Sequence, residues 1–221
     1  MAPPHRTKEL SFLSLPPDAR HRIYELLLTS KPLVMPDCRP AAQTAVTPSI
    51  LRTSRQIHPE ASPILYRENT FLIAEPERIL HWFHQMGPAN LAQLRRIRVF
   101  VHAVYATKDV PFLDIKRDGP AWYELLDCLA RRATGLRHVF MYWDAAEDCN
   151  HMGAGKDVRF VRELARIQGL ERMEIAGFYA MGWPRYLAEK MGVAIQQEGD
   201  CTAYSLQRLR RFQRGTEGLL P

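Results

Sequence analysis

Five groups of side chains in this sequence have the types and spacing for chemistry. Gly153-Ala154-Gly155-Lys156-Asp157 has the glycines and lysine of a phosphate-cradling loop. A Walker-type loop needs a glycine separated by four residues from Gly-Lys and a hydroxyl residue after it. Asn150 and Asp157 stand in those places, so the stretch reads as a turn before a helix. Asp144, Glu147, Asp148, Cys149 and His151 offer metal-binding atoms within one segment, but without the ligand spacing of a zinc site. His81 and His84 sit three residues apart on a predicted helix, which puts both on one face without a nameable third ligand. Cys128 falls inside an apolar helical pattern and reads as a buried thiol. The arginines at 95, 96 and 98, at 131 and 132, and at 208, 210, 211 and 214 are candidate phosphate contacts for nucleic acid. No G-x-S-x-G elbow and no G-x-G-x-x-G fingerprint is present. A non-enzymatic protein is therefore expected, with no catalytic residue, metal or cofactor assigned.

Composition sets the frame. Hydrophobic residues are 46% and charged residues 24% of 221, which suits a folded globular chain. No apolar run approaches the roughly 18–20 residues of a membrane span, and no apolar stretch follows the basic first residues as in a signal peptide. Cys38, Cys128, Cys149 and Cys201 are irregularly spaced, so reduced thiols are expected. Together these predict an intracellular protein, cytoplasmic or nuclear, without a membrane partner. The net charge of +6 suits an acidic partner of any kind.

The elements that must position these groups follow from periodicity. Residues 1–11 read as a mobile tail. Leu15-Pro16-Pro17-Asp18 opens a helix, with Ala19, Ile23, Leu26 and Leu27 as its apolar face. Residues 31–47, with Pro32, Pro36 and Pro40, read as a loop. Thr47-Pro48 predicts a second helix with Ile50, Ser54, Ile57 and Ala61 on one face, broken near Pro59, and a short third helix carries Ile64, Leu65 and Tyr66. Asn69 to Ala74 reads as a strand, and Glu75-Pro76 starts a helix that Gly87-Pro88 stops.

A weak repeat then appears. Leu94-Arg95-Arg96-Ile97-Arg98-Val99, Leu136-Arg137-His138-Val139-Phe140-Met141 and Leu170-Glu171-Arg172-Met173-Glu174-Ile175 share the form L-x-x-φ-x-φ (φ apolar), at separations of 42 and 34 residues. Helical patterns at 120–133 and 156–168 fill the gaps. Gly135, Gly169 and Gly192 follow helices, where glycine supplies the left-handed closing residue. A strand is expected at Val193 to Ile195, and a basic amphipathic helix at 202–214. Helix–glycine–strand repeated predicts an α/β fold with a mostly parallel sheet, α+β being the alternative. The L-x-x-φ-x-φ form also allows a degenerate leucine-rich-repeat-like stack.

Two long blocks carry a family likeness. The first runs from Phe12-Leu13-Ser14-Leu15-Pro16-Pro17-Asp18-Ala19-Arg20 to Leu28, and the second from Ile50-Leu51-Arg52-Thr53-Ser54-Arg55-Gln56-Ile57 to Phe71. In this order they resemble a filamentous-fungal group that pairs LPxEIRxxIYxLLL with LLRTxRQIxxEAxPIxYxxNTF and is labelled F-box-like or of unknown function. The resemblance implies a helical segment at 12–73 that docks a Skp-type adaptor of a cullin ubiquitin ligase. An α/β substrate-holding domain at 74–200 and a basic tail at 201–221 would follow. It makes Leu15, Pro16, Ile23, Leu27, Leu51 and Ile57 the candidate docking residues, either facing the adaptor or packed internally. The leading expectation is a protein–protein interaction module with that adaptor and an unidentified substrate as partners. A small α/β enzyme with a site assembled from distant residues is one alternative, and nucleic-acid binding through the arginine-rich tail is the other.

Overall fold

The proline pair starts the first helix where the sequence places it. In the computed structural model, which describes residues 11–30, 46–102, 115–144, 158–177, 179 and 182–198, helix α1 spans Pro17–Leu28, with Asp18 in its first turn and Thr29 closing it. The helix predicted at Thr47-Pro48 is instead a 3-10 turn, Pro48–Arg52. Helix α2 begins later, at Ile57, and runs unbroken to Glu68. The break expected at Pro59 and the separate third helix are both absent. Pro59 is the third residue of α2, where its missing N–H has no helical acceptor to lose. Pro63 removes one internal bond, and burial of Ile57, Ala61, Ile64 and Leu65 holds the helix across that gap.

Strand β1 (Thr70–Ile73), helix α3 (Pro76–Met86) and a one-turn helix α4 (Pro88–Leu91) follow. The remaining chain alternates: β2 (Arg96–His102), α5 (Ile115–Arg132), β3 (His138–Asp144), α6 (Val158–Leu164), β4 (Arg172–Gly177), α7 (Trp183–Met191) and β5 (Ile195–Glu198). Helix α5 starts ahead of the predicted Pro120, which it accommodates inside. The last strand begins at Ile195, two residues past the expected start. The expected helix at 202–214, the acidic loop at 145–151, the Gly153–Asp157 stretch, the loop at 31–45 and the tail at 1–10 lie outside the described residues.

The five strands form one sheet in the order β1-β2-β3-β4-β5, and every pairing is parallel. The fold is α/β, as the helix–glycine–strand pattern predicts. Register follows the repeated motif: Arg96 pairs with His138 and His138 with Arg172, so the three copies lie side by side without offset. One face of the sheet carries Phe71, Ile73, Ile97, Val99, Val101, Val139, Met141, Trp143, Met173 and Ile175, all in one core with the helices. The helices make contacts in sequence along this face, α3 with α5, α5 with α6 and α6 with α7. Parallel neighbours joined by crossovers of one hand leave all helices on one side. The opposite face holds a smaller buried cluster of Phe100, Phe140, Tyr142 and Ala176. Phe100 stacks on Tyr142 at 5.3 Å, and the Arg98 guanidinium lies 4.6 Å from the centre of the Phe140 ring.

Two of the three junction glycines act as expected: Gly169 has φ +76° and Gly192 φ +68°. Gly135 does not adopt a positive φ. It is required for another reason, because a Cβ there would meet the Ala92 carbonyl oxygen at 2.2 Å.

Candidate docking surface on the first helix

Helix α1 does not bury the face its apolar residues predict. The side chains turned into the core are Arg20, Tyr24 and Leu28, spaced four apart along one stripe. Ala19, Ile23 and Leu27 are only half-buried, and Leu26 is 69% exposed.

The reason is a carboxylate forty residues away. Arg20 is 6% exposed. Its Nε and Nη2 donate to Glu60 Oε2 and Oε1 at 3.0 and 2.8 Å, a bidentate pair, and its Nη1 donates to the Leu15 carbonyl at 2.7 Å. The Tyr24 hydroxyl donates to Glu60 Oε2 at 2.9 Å, and Gln56 Nε2 donates to Oε1 at 3.0 Å. The guanidinium of Arg20, then the Gln56 amide, hold the Glu60 carboxyl down to about 2. Burial, then the hydrogen bond to Glu60, pushes the Tyr24 phenol up. A buried arginine must be paired, so once Glu60 faces α1 the rotation of the helix is set.

The far end of α1 is fixed by a fully buried asparagine. Asn69 Nδ2 donates to the Leu28 and Leu65 carbonyls at 2.6 and 2.7 Å, and Asn69 Oδ1 accepts from Ser30 N–H at 2.8 Å. One amide thus satisfies carbonyls at the C-terminal ends of both α1 and α2, which otherwise lack helical donors. Thr47 N–H satisfies a third, on Leu27, at 2.7 Å.

This geometry sorts the six candidate docking residues. Leu15 is 37% exposed and Pro16 is exposed, at the start of α1. Ile23 and Leu27 are half-buried and share one turn of the helix with Leu26. Leu51 and Ile57, 9% and 6% exposed, are in the core, the internal of their two expected placements, with only an edge of Leu51 at the surface. Sequence reasoning placed Leu26 on one apolar face with Ala19, Ile23 and Leu27 without naming it as a docking residue, and passed over Leu13, which is 38% exposed. The signal for Leu26 was the arginine in the first block and the glutamate in the second, which are the matched pair that turns the helix.

The other chemistry-bearing residues have local partners. His84 Nδ1 bonds the Leu80 carbonyl and His81 Nε2 bonds the Gln85 amide, so the two rings do not converge. Cys128 is half-buried, and that burial pushes its thiol up, away from a reactive thiolate. Arg96 donates to the Arg67 and Glu68 carbonyls, and Arg131 pairs with Asp127 at 3.0 Å. Among the described residues no three His, Cys, Asp or Glu side chains gather to hold a metal, and no helix is long and apolar enough to cross a membrane.

Neither a curated protein nor a solved structure matches this sequence. A domain of unknown function, DUF7730, does match, over residues 33–148. The matched region starts after α1, contains α2 and its Glu60, and ends beyond β3. Since it covers just over half of the sequence, the chain belongs to the DUF7730 family.

Proposed function

We propose that this chain is a non-enzymatic protein–protein interaction module that docks a partner through the outer flank of α1. The observation that carries this reading is the inversion on α1: an arginine and a tyrosine are buried while Leu26 stays 69% exposed beside Ile23 and Leu27. A helix that spends a buried ion pair to keep leucines at the surface has an apolar strip available for another protein. Leu13 and Leu15, ahead of the helix start, are exposed as well. The F-box-like reading of the two N-terminal blocks gives the partner its chemistry, a Skp-type adaptor of a cullin ligase. The in-order parallel sheet with helices on one face suits a leucine-rich-repeat-like platform for a second protein.

The test mixes the full chain with a purified fungal Skp-type adaptor and follows the complex by size-exclusion chromatography with light scattering. A 1:1 complex is expected, lost in Leu26→Asp and in Leu27→Asp. Burying the exposed part of one leucine is worth on the order of 1–2 kcal/mol, so even Leu26→Ala should weaken binding about 5- to 30-fold. No complex at micromolar concentrations, or a complex indifferent to Leu26→Asp, rules this docking out.

A further inference from the structure

A second surface feature lies on the segment between the 3-10 turn and α2. The chain bends there around an open groove of about 500 Å³. Arg52, Arg55 and His58 line it together with the hydroxyl residues Thr53 and Ser54, and Leu51 and Pro59 give it an apolar side. No carboxylate lines it. We propose that this groove recognises a phosphomonoester group.

The charge balance points to an anion. Arg20, Arg96, Arg131 and Arg166 each take an acidic or carbonyl partner within the protein. Arg52 and Arg55 are exposed and make no ion pair or hydrogen bond among the described residues. The carboxylate on this part of α2, Glu60, is spent on Arg20, Tyr24 and Gln56. The groove therefore carries at least two positive charges with no internal counter-charge, at the positive end of a twelve-residue helix.

The hydrogen-bonding capacity points to a tetrahedral anion with a body attached. Two guanidiniums supply two planar forks of N–H donors, one more than a single bidentate pair with a carboxylate uses. The Ser54 Oγ accepts from Gln56 N–H at 3.1 Å, which leaves its O–H to donate. Thr53 Oγ1 already donates to the Ile50 carbonyl at 2.7 Å and has only lone pairs left. His58 Nδ1 lies 3.3 Å from Ser62 Oγ, so Nε2 remains for a ligand when the ring is an imidazolium. Three terminal phosphate oxygens match this set of donors. Pro59 has no N–H to offer in the first turn of α2 and the His58 N–H is taken by the Ser54 carbonyl, which leaves most of the binding to side chains. The volume is in the range of small-ligand pockets, larger than a phosphate ion needs, and its apolar side suits the carbon skeleton that carries the phosphate.

The phosphomonoester can belong to a peptide or to a small molecule, and two probes separate them. Calorimetry on the full chain would use free O-phosphoserine, and a short peptide containing one phosphoserine together with its unphosphorylated form. Binding of at least one phosphorylated probe, and none of the unphosphorylated peptide, is the expected result. A tighter peptide identifies a modified protein segment as the ligand, and equal affinities identify a small phosphorylated compound. Arg52→Gln and Arg55→Gln should each raise Kd about tenfold or more, while Arg95→Gln, an exposed arginine outside the groove, leaves it unchanged. The urea midpoints of all three variants should equal that of the parent, since none of these side chains is buried. The proposal is overturned if neither phosphorylated probe binds at millimolar concentration, if Arg52→Gln and Arg55→Gln have no effect, or if Arg95→Gln weakens binding equally. Leu26→Asp should keep phosphoserine binding, so failure of the α1 docking surface and failure of this groove are read separately.

Discussion

Replacing Leu26 and Leu28 by alanine, one at a time, tests the orientation of α1 on which the docking surface depends. The two residues lie two positions apart on the same helix, on nearly opposite faces, and are chemically identical, yet Leu28 is 0% exposed and Leu26 is 69% exposed. A buried leucine cut to alanine loses its transfer energy and leaves a cavity, together about 2–5 kcal/mol. Taking ~3 kcal/mol, a chain of this length should lose roughly 6–12 °C in Tm. Leu26 has little contact to lose, and alanine is the better helix former, so its change should stay within about 0.5 kcal/mol, or ~2 °C. Urea and thermal unfolding, followed by far-UV circular dichroism, measure both. If Leu26→Ala costs as much as Leu28→Ala, then the apolar face read from the sequence is the buried one. The helix would be rotated from the orientation described here, and the exposed leucine strip would not exist.

Two further outcomes follow from side chains around that helix and the sheet. Glu60 is held at about 2 in the folded chain, below the ordinary carboxylate value of 4.5. Its contribution to stability is therefore full above about pH 5 and is lost as pH falls through 4.5 toward 2. In urea midpoints measured against pH, the gap between parent and Glu60→Gln should narrow steadily over that window, and parallel curves would show that Glu60 is not clamped. Gly135→Ala drives a methyl group into the Ala92 carbonyl and should destabilise by about 1–3 kcal/mol. Gly182→Ala has nothing within 4 Å and should stay within about 0.5 kcal/mol. Equal midpoints for the two variants would remove the close approach of these backbones.

What was legible in the sequence was what neighbouring residues decide among themselves. Pro17, Pro76 and Gly87 mark helix ends, and the three leucine-led motifs mark strands that pair in register. Their alternation with helices is enough to give the α/β class. What was not legible depends on residues distant in the chain. The rotation of α1 is set by Glu60, forty positions from Arg20, and an amphipathic pattern read alone puts the leucines inside. The continuity of α2 through two prolines comes from tertiary burial, which local propensity does not count. The cluster of Phe100, Phe140 and Tyr142 was hidden because apolar residues occupy both parities of β2 and β3. Leu51 and Ile57 stand in a motif that resembles a docking block, but they pack inside because the 3-10 turn and α2 need an apolar floor.

The order of the strands has a kinetic meaning. In many parallel sheets an early strand ends up in the middle and must wait for later chain on both sides. Here each strand is added to the edge left by the one before it, from β1 to β5. A chain emerging N-terminus first can dock β2 on β1, then β3 on β2, without reopening anything already formed. Every crossover closes onto its immediate predecessor, which keeps the entropy cost of each step to a single loop. The growing edge is always the newest strand, while the opposite edge, β1, stays the same from first to last. When synthesis reaches β5, the growing edge is four residues long.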